Sequence, residues 1–364
     1  MVREINDRLI RLNNRRKGTD RIHQIDESFR SDVLAKSYAQ ESWQKREMTR
    51  PYTRYALGAM QEVNAEYTKK SIDEATRVSG HLKTGLAAVG IPVVFELQGS
   101  VPLNVHIRGV SDVDLLTLAE DFFTYTLGGV RDRSGYYRSP TTRTSLGVLG
   151  NIRTQAEVVL KRRFWGATVD CSGGKSISLS GGSLERPVDV VPSHYHDTLD
   201  YQRSGLAHER GVIILNKKVP ETIENLPFLH IHRINERDRA LLGGLKMAIR
   251  LAKTVKSDAT NEASAAQLPS FDIAALMYHA NQDALRIGFH YELAVLEETQ
   301  RFFDWCYRYE SQSSLLRTPD GSRPILNTSE KRAGLLTISC ELDDLVKAVR
   351  AEQFGDLRKV IPAA

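Results

Sequence analysis

Cysteine is scarce in this chain: Cys171, Cys306 and Cys340 are all there are. An odd, widely spaced set builds neither a disulfide framework nor a CxxC metal knuckle, and it fits a reducing compartment. Long apolar runs are missing as well. The opening MVREINDRLIRLNNRRKG has no apolar segment of signal-peptide length, and no later stretch nears the ~20 apolar residues of a membrane span. These absences lead to the expectation of a cytoplasmic protein with no membrane partner. Charge of one sign is not strongly in excess either, since 50 Lys and Arg face 45 Asp and Glu for a net +5. That balance suits polyphosphate or nucleic-acid ligands and equally a protein with neither, so nucleic acid stays open as a partner. What is present is ordinary for a globular chain: 364 residues, 41% hydrophobic and 26% charged, enough for one large domain or two smaller ones.

Periodicity and breaks divide the chain. Residues 1 to 90 read as helices, over Arg3–Lys17, Asp32–Arg50, Tyr52–Thr76 and His81–Val89, with Pro51 separating the second from the third. Strands are expected at Pro92–Gln98, Asp112–Leu118, Trp165–Asp170, Ser176–Leu179, Arg186–Val191 and Val212–Leu215. Asn151 is positioned to cap a helix reaching Arg163. Beyond about Arg237 the pattern is helical again, through ALLGGLKMAIRLAKTVKSD, then Phe271–His279, Leu285–Arg308 and Ala333–Phe354, with a polar linker at Ser257–Pro269 and a turn-rich loop at Thr318–Glu330. This is a mixed α/β unit up to about residue 215 followed by a helical unit.

The chemistry concentrates in GSVPLNVHIRGVSDVDL, which opens at Gly99. It reads as a Gly-Ser turn, a loop, and an apolar strand interrupted by Asp112 and Asp114. Residues two apart on a strand share a face, so these carboxylates repel one another and lose hydration unless a cation sits between them. All-oxygen ligands of this kind suit Mg²⁺ or Mn²⁺. A third acid, Asp189, lies in a second apolar run, RPVDVVP. Three carboxylates on two strands form a site for two divalent ions of the kind that move a nucleotidyl group from a nucleoside triphosphate. In that reading Gly99 lets backbone approach the phosphates, and Ser100 donates a hydrogen bond to them.

Weaker signals have two readings each. Lys246, Arg250 and Lys253 are spaced by four and three residues, on one side of a helix; they are either a phosphate grip or a solvated face. Tyr125, Tyr136 and Tyr137 interleave with Arg131, Arg133, Arg138 and Arg143 between Asp121 and Gly150, with a turn at Ser139-Pro140; this is a base-stacking loop or a plain surface insertion. The basic helix at Arg3–Lys17 is a solvated face or a phosphate contact. His194 with His196, and His230 with His232, allow zinc by spacing, but no cysteine lies near, and cleft-lining or surface roles suit them better. Gly173-Gly174-Lys175-Ser176 looks like the end of a P-loop. Its first glycine is replaced by Val169 and its flanks read as two strands, so a P-loop is rejected.

GS followed by SDVDLL and then VDVVP resembles the DNA polymerase β type of nucleotidyltransferase. More narrowly, the helical lead-in, GKSISL before RPVDVVP, the GGLKMAIRLAK helix, LPSFDIAAL and PDGSRPILN resemble the bacterial cGAS/DncV-like nucleotidyltransferases (CD-NTases), relatives of the oligoadenylate synthases. The resemblance implies an α+β fold: a polymerase β-like palm with a helical N-terminal lead-in over 1–220, and a C-terminal helical lobe over 221–364 closing the nucleotide cleft. It implies synthesis of cyclic di- or trinucleotides from ATP, GTP or other triphosphates. A downstream effector would answer them in anti-phage signalling, with a regulatory protein as a further partner. By the same resemblance Asp112, Asp114 and Asp189 are the catalytic metal ligands, Gly99 and Ser100 the phosphate turn, and Lys246 and Arg250 nucleotide contacts. Transfer onto an RNA 3′ end, or onto a protein or small-molecule hydroxyl, would use the same triad; a non-catalytic binding module would not need it.

Overall fold

The structure, a computed structural model, describes residues 4–20, 27, 41–137 and 141–360. Of the expected elements, residues 32–40 of the second helix, together with Arg138 and the Ser139-Pro140 turn, lie outside the described residues. Helix α1 (Ile5–Lys17) ends at Gly18 with φ 76°, a left-handed conformation that glycine takes without steric cost. Helix α2 (Pro51–Met60) starts on a proline at its first position, and α3 (Ala65–Ala87) is capped by Asn64, whose side chain accepts from the Glu66 N–H.

The described residues contribute seven strands to one sheet. Strand β1 (Val93–Gln98) runs antiparallel to β2 (Val113–Tyr125). After α4 (Ser145–Arg163), β3 (Thr168–Asp170) and β4 (Ile177–Ser180) form an antiparallel hairpin across the Gly173-Gly174 turn, so the rejected P-loop is indeed a strand-to-strand connection. Strand β5 (Val188–Asp197) is the centre: parallel to β2 on one side and antiparallel to β4 and to β6 (Gly211–Asn216). Strand β7 (Glu221–Asn225) pairs with β6 at the edge.

Alternation gives the sheet two unlike faces. Val113, Leu115, Val188 and Val190 point to a core shared with Val78, Leu82 and Leu86 of α3 and Leu160 of α4. The other face carries Leu116, Leu118, Val191, Val212 and Ile214, with Phe228 of α5 (Pro227–Ala240) packed against it. A second, larger core is built mainly of helices, joined by Leu103, Val105, Ile325 and Leu326 from loops. It joins Ile5, Leu9 and Leu12 of α1 and Tyr55 to Met60 of α2 with Ile249 and Val255 of α6 (Gly244–Ser257), Ile273 of α7 (Ser270–Met277), Phe303 of α8 (Leu293–Arg308) and Leu342 of α9 (Ser329–Val360). Among the described residues no helix is long and apolar enough to cross a membrane.

Several boundaries differ from the sequence expectation. Of the Asp32–Arg50 helix, the described part is only a 3-10 turn at Ser42–Lys45. Tyr52–Thr76 is broken at Gln61–Asn64, and its second half continues without interruption through His81, because Gly80 faces open space and does not stop the helix. Helix α4 starts at Ser145 with Thr144 as its cap, six residues before Asn151. The Asp121–Gly150 loop instead begins as strand, since β2 continues to Tyr125, and also holds a short helical turn at Val130–Arg133. The helix expected across ALLGGLK stops before Gly243 (φ 92°), which leaves Leu242 exposed rather than in the apolar stripe. The Leu285–Arg308 helix divides into Gln282–Ile287 and α8, and the Ser257–Pro269 linker contains a turn of helix at Glu262–Ala266.

Candidate active site

Strand register brings the acids together. Asp114 on β2 stands directly beside Asp189 on β5 in the parallel pair, and Asp112 sits just before β2. By alternation both strand acids share a face with Leu116 and Val191, the face that α5 approaches through Phe228. On the other flank, β1 pairs Gln98 with Asp114, so the chain leaves β1 at Gly99 right over the carboxylate. Gly99 has φ 78°, and a Cβ built there would lie 2.2 Å from Asp114 Oδ2. No side chain fits. The glycine is required both by its backbone conformation and by the approach of the acid.

The electrostatics match this crowding. Burial, then the charges of Asp189 and Asp112, push Asp114 up to about 7, with Lys253 pulling the other way. Asp189 accepts from the Ser176 hydroxyl at 3.3 Å through Oδ2, while its Oδ1 is buried without a hydrogen-bond partner. An unpartnered carboxylate oxygen beside two further acids is a poor arrangement unless a cation joins it, so the donors fit a divalent ion with oxygen ligands. Among the described residues no group of three or more His, Cys, Asp or Glu is arranged to hold a metal ion by itself. That is compatible with a Mg²⁺-type site, which takes one or two carboxylates and fills its shell with water and substrate phosphate.

Over 359 residues the chain is 39% identical to the cyclic dinucleotide synthase CdnE of Yersinia aleksiciae, covering 96% of this chain and 93% of that protein. The chain belongs to the CD-NTase family. A c-di-GMP synthase of a Lachnospiraceae bacterium is 34% identical over 244 residues, 62% of this CD-NTase and 68% of the relative. Among solved structures, the STING-associated CdnE c-di-GMP synthase of Capnocytophaga granulosa superposes with a TM-score of 0.71 at 24% identity, covering 96% of this chain and all of that one. The fold is therefore the polymerase β-like fold of the CD-NTases. No protein-family model matches the chain.

The basic stripe of this CD-NTase is resolved residue by residue. Lys246 is partly exposed; its ammonium lies 3.8 Å from Asp238 Oδ2, and its backbone N–H donates to Asp238 Oδ1 at 2.9 Å. Burial pulls its pKa down, with Asp238 opposing. Arg250 is buried at 7% exposure, and its Nε and one terminal nitrogen donate to the carbonyls of Met60 (2.7 Å) and Asn104 (2.9 Å). Lys253, not singled out as a site residue from the sequence, is buried too and donates to the Val105 carbonyl at 2.7 Å. The solvated-face reading fails for both. Their helical spacing was visible, but which backbone they meet depends on the fold.

The other signals make contacts within the protein. Tyr125 and Tyr137 stack on each other with centroids 4.0 Å apart, and the Tyr137 hydroxyl donates to Asp197 at 2.8 Å. This cluster stands at the far end of β2 and β5 from Asp114, on the order of 30 Å along the strands. His196 bonds Thr124 and Thr126, His194 meets Phe122 edge-on, His230 stacks on Phe271 and His232 on His208. Of the basic residues of α1, Arg8 pairs with Glu341, Arg11 with Asp258 and Glu262, and Arg16 with Glu41, while Arg15 makes a two-pronged pair with the fully buried Asp258 at 2.6 Å.

Proposed function

We propose that this chain joins two nucleoside triphosphates into a cyclic dinucleotide, with Asp112, Asp114 and Asp189 as the catalytic carboxylates. The observation that carries the reading is the parallel register of Asp114 beside Asp189, under a glycine whose positive φ and close approach to Asp114 Oδ2 disfavour any side chain. The three aspartates would hold two Mg²⁺ or Mn²⁺ ions. Bound there, the ions neutralise triphosphate charge and acidify the attacking hydroxyl. The chain supplies the rest. Gly99 leaves the space over Asp114 open to phosphate oxygens, and the Ser100 hydroxyl donates to a β- or γ-phosphate oxygen. Lys246, on the partly exposed edge of α6, is the phosphate contact of the helical lobe. The hydroxyl of one nucleotide attacks the α-phosphorus of the other, a P–O bond forms, pyrophosphate leaves, and the hydroxyl proton passes toward Asp189. A second round closes the ring.

The two cores then act as palm and lobe. The lobe takes in α1 and α2 as well as α5 to α9, and the palm runs on through β7 at Asn225. Such a product works only through a receptor, so we place a cyclic-dinucleotide-reading effector downstream, in the cytoplasm of a bacterium under phage attack. Guanine is the base suggested by the c-di-GMP synthases among the relatives.

The test is incubation of purified protein with all four ribonucleoside triphosphates, and separately with GTP alone, in Mg²⁺ or Mn²⁺. Products are treated with phosphatase and resolved by mass. The expected result is a phosphatase-resistant cyclic species that disappears in Asp112→Ala, Asp114→Ala protein. Linear products extended on added RNA, with no cyclic species, would overturn the reading in favour of RNA 3′-end transfer.

A further inference from the structure

The hairpin between β3 and β4 leads into Ser176 and is held in place from behind. Arg153 of α4 is 2% exposed. One of its terminal nitrogens donates to the carbonyls of Cys171 at 3.1 Å and Gly173 at 3.0 Å, and its Nε donates to Glu157 Oε1 at 2.6 Å. The residue after β6, Lys217, donates its backbone N–H to the Gly174 carbonyl at 2.8 Å and its ammonium to the same Glu157 oxygen at 2.8 Å. At the start of the turn the Ser172 N–H donates to Asp170 Oδ1 at 2.8 Å. A Cβ built on Gly173 would lie 3.0 Å from the Ser176 carbonyl, so the chain doubles back tightly there. A surface turn can leave its carbonyls to water. Here those of Cys171, Gly173 and Gly174 are taken up by α4 and by the end of β6. A buried guanidinium stays only where such acceptors offset its lost hydration.

The held turn delivers a hydroxyl to the third acid. Strand β4 sets Ser178 directly opposite Asp189 of β5, and alternation puts Ser176 on the same face. From there the Ser176 hydroxyl donates to Asp189 Oδ2 at 3.3 Å, leaving Oδ1 as the oxygen without a partner. We infer that Ser176 is a positioning residue: its hydroxyl holds one oxygen of Asp189 so that the other is presented to the divalent ion, and Arg153 holds the hairpin that carries it. The inference rests on the nucleotidyl-transfer reading and adds to it a residue outside the metal's own ligands. An aspartate carboxylate turns about its last bond with only broad preferences. Beside Asp114, an untethered Asp189 would turn away from the like charge, whereas a hydrogen-bonded one keeps its plane. Groups that orient metal ligands in this way are worth about 10–100-fold in metal affinity.

The test is Mn²⁺ binding to the purified protein without nucleotide, followed by the paramagnetic signal of free Mn²⁺, alongside kcat and KM for the triphosphates. Ser176→Ala should weaken Mn²⁺ binding by about 10–100-fold and lower kcat by about tenfold or more at limiting Mn²⁺, with KM within about threefold. The lost turnover should return as Mn²⁺ is raised, and the melting temperature in chelator should stay within about 2 °C of wild type. Ser176→Thr keeps the hydroxyl and should bind Mn²⁺ within about threefold of wild type. Ser178→Ala is the control, on the same strand and face with no hydrogen bond to Asp189, and should leave Mn²⁺ binding unchanged. Unchanged Mn²⁺ affinity in Ser176→Ala, or an equal loss in Ser178→Ala, would overturn the proposal. A rise in KM with Mn²⁺ affinity intact would make Ser176 a nucleotide contact and overturn it too, as would Mn²⁺ binding that survives Asp189→Asn. If the wild-type protein binds Mn²⁺ through Asp189 but makes no nucleotide product, the transfer reading fails while the titration still decides the role of Ser176.

Discussion

Replacing Gly99 by alanine separates two effects that usually travel together. The first is backbone strain. Gly99 has φ 78°, where an L side chain costs about 1–2 kcal/mol. The second is collision, because the new Cβ would lie 2.2 Å from Asp114 Oδ2, whereas ordinary contact begins at 3.4 Å. Something must move by about 1.2 Å, the difference between those distances. The Asp114 backbone is paired on both sides, so either its carboxylate swings aside or the turn gives way and carries Ser100 with it, and each displaces a group of the site. A shift near 1 Å at a reacting group is worth about 100-fold in rate. Gly90→Ala is the control: φ is 75° there and nothing lies within 4 Å of the added Cβ, so it bears the strain without the collision. Gly90→Ala should lose about 1–2 kcal/mol in a denaturant titration, and Gly99→Ala at least as much. Only Gly99→Ala should lose about 100-fold in formation of cyclic product. Turnover of Gly99→Ala within threefold of wild type, or an equal loss in Gly90→Ala, would refute the argument.

Asp114→Asn keeps shape and removes a charge buried against two others, so activity should vanish while the melting temperature in chelator holds or rises; a clear fall would contradict the repulsion described. Acid should destabilise the fold between about pH 6.5 and 4. Burial holds His106, His194 and His230 down at about 4, so the unfolded chain binds these protons first. The stability is whole above 6.5 and is lost as pH falls; His230→Gln should flatten the slope by about one proton in urea titrations across that range. Asp272 is fully buried between Arg323 and Lys331, pinning the PDGSRP loop to α7, and Asp272→Ala should cost about 3 kcal/mol by leaving both cations short of a partner. A loss under 1 kcal/mol would mean the loop is held by something else.

The local part of the site was legible and the long-range part was not. A Gly-Ser turn, a pair of acids two apart and a lone acid in an apolar run are short patterns, and each reads without knowing its neighbours. That Asp114 and Asp189 lie side by side in a parallel pair depends on a register no window of sequence contains. Arg250 and Lys253 show the same limit: their spacing puts them on one face, but the partner of that face is backbone from residues 104 and 105. Strand β7, ETIEN, was missed because it is polar at nearly every position and is a strand by virtue of pairing with β6. The stop at Gly243 was locally visible in the Gly-Gly pair, yet the apolar periodicity running across it overrode that signal.

The helical core draws on both ends of the sequence, with Ile5, Leu9, Leu12, Trp43 and the Tyr55 to Met60 stretch packed among residues 234–349. On the ribosome this imposes an order. Helices α1 and α2 are made well before the partners they meet across this core, which lie 190 to 333 residues further along. At synthesis rates of about 5–20 residues per second they wait roughly 10–65 s for those surfaces to appear. Meanwhile the loop that Arg250 and Lys253 secure has no anchor, so the sheet can assemble with its acids in register while the turn above them is still loose. The helical core, and with it the fastening of the loop over the acids, closes only when most of the polypeptide has been made.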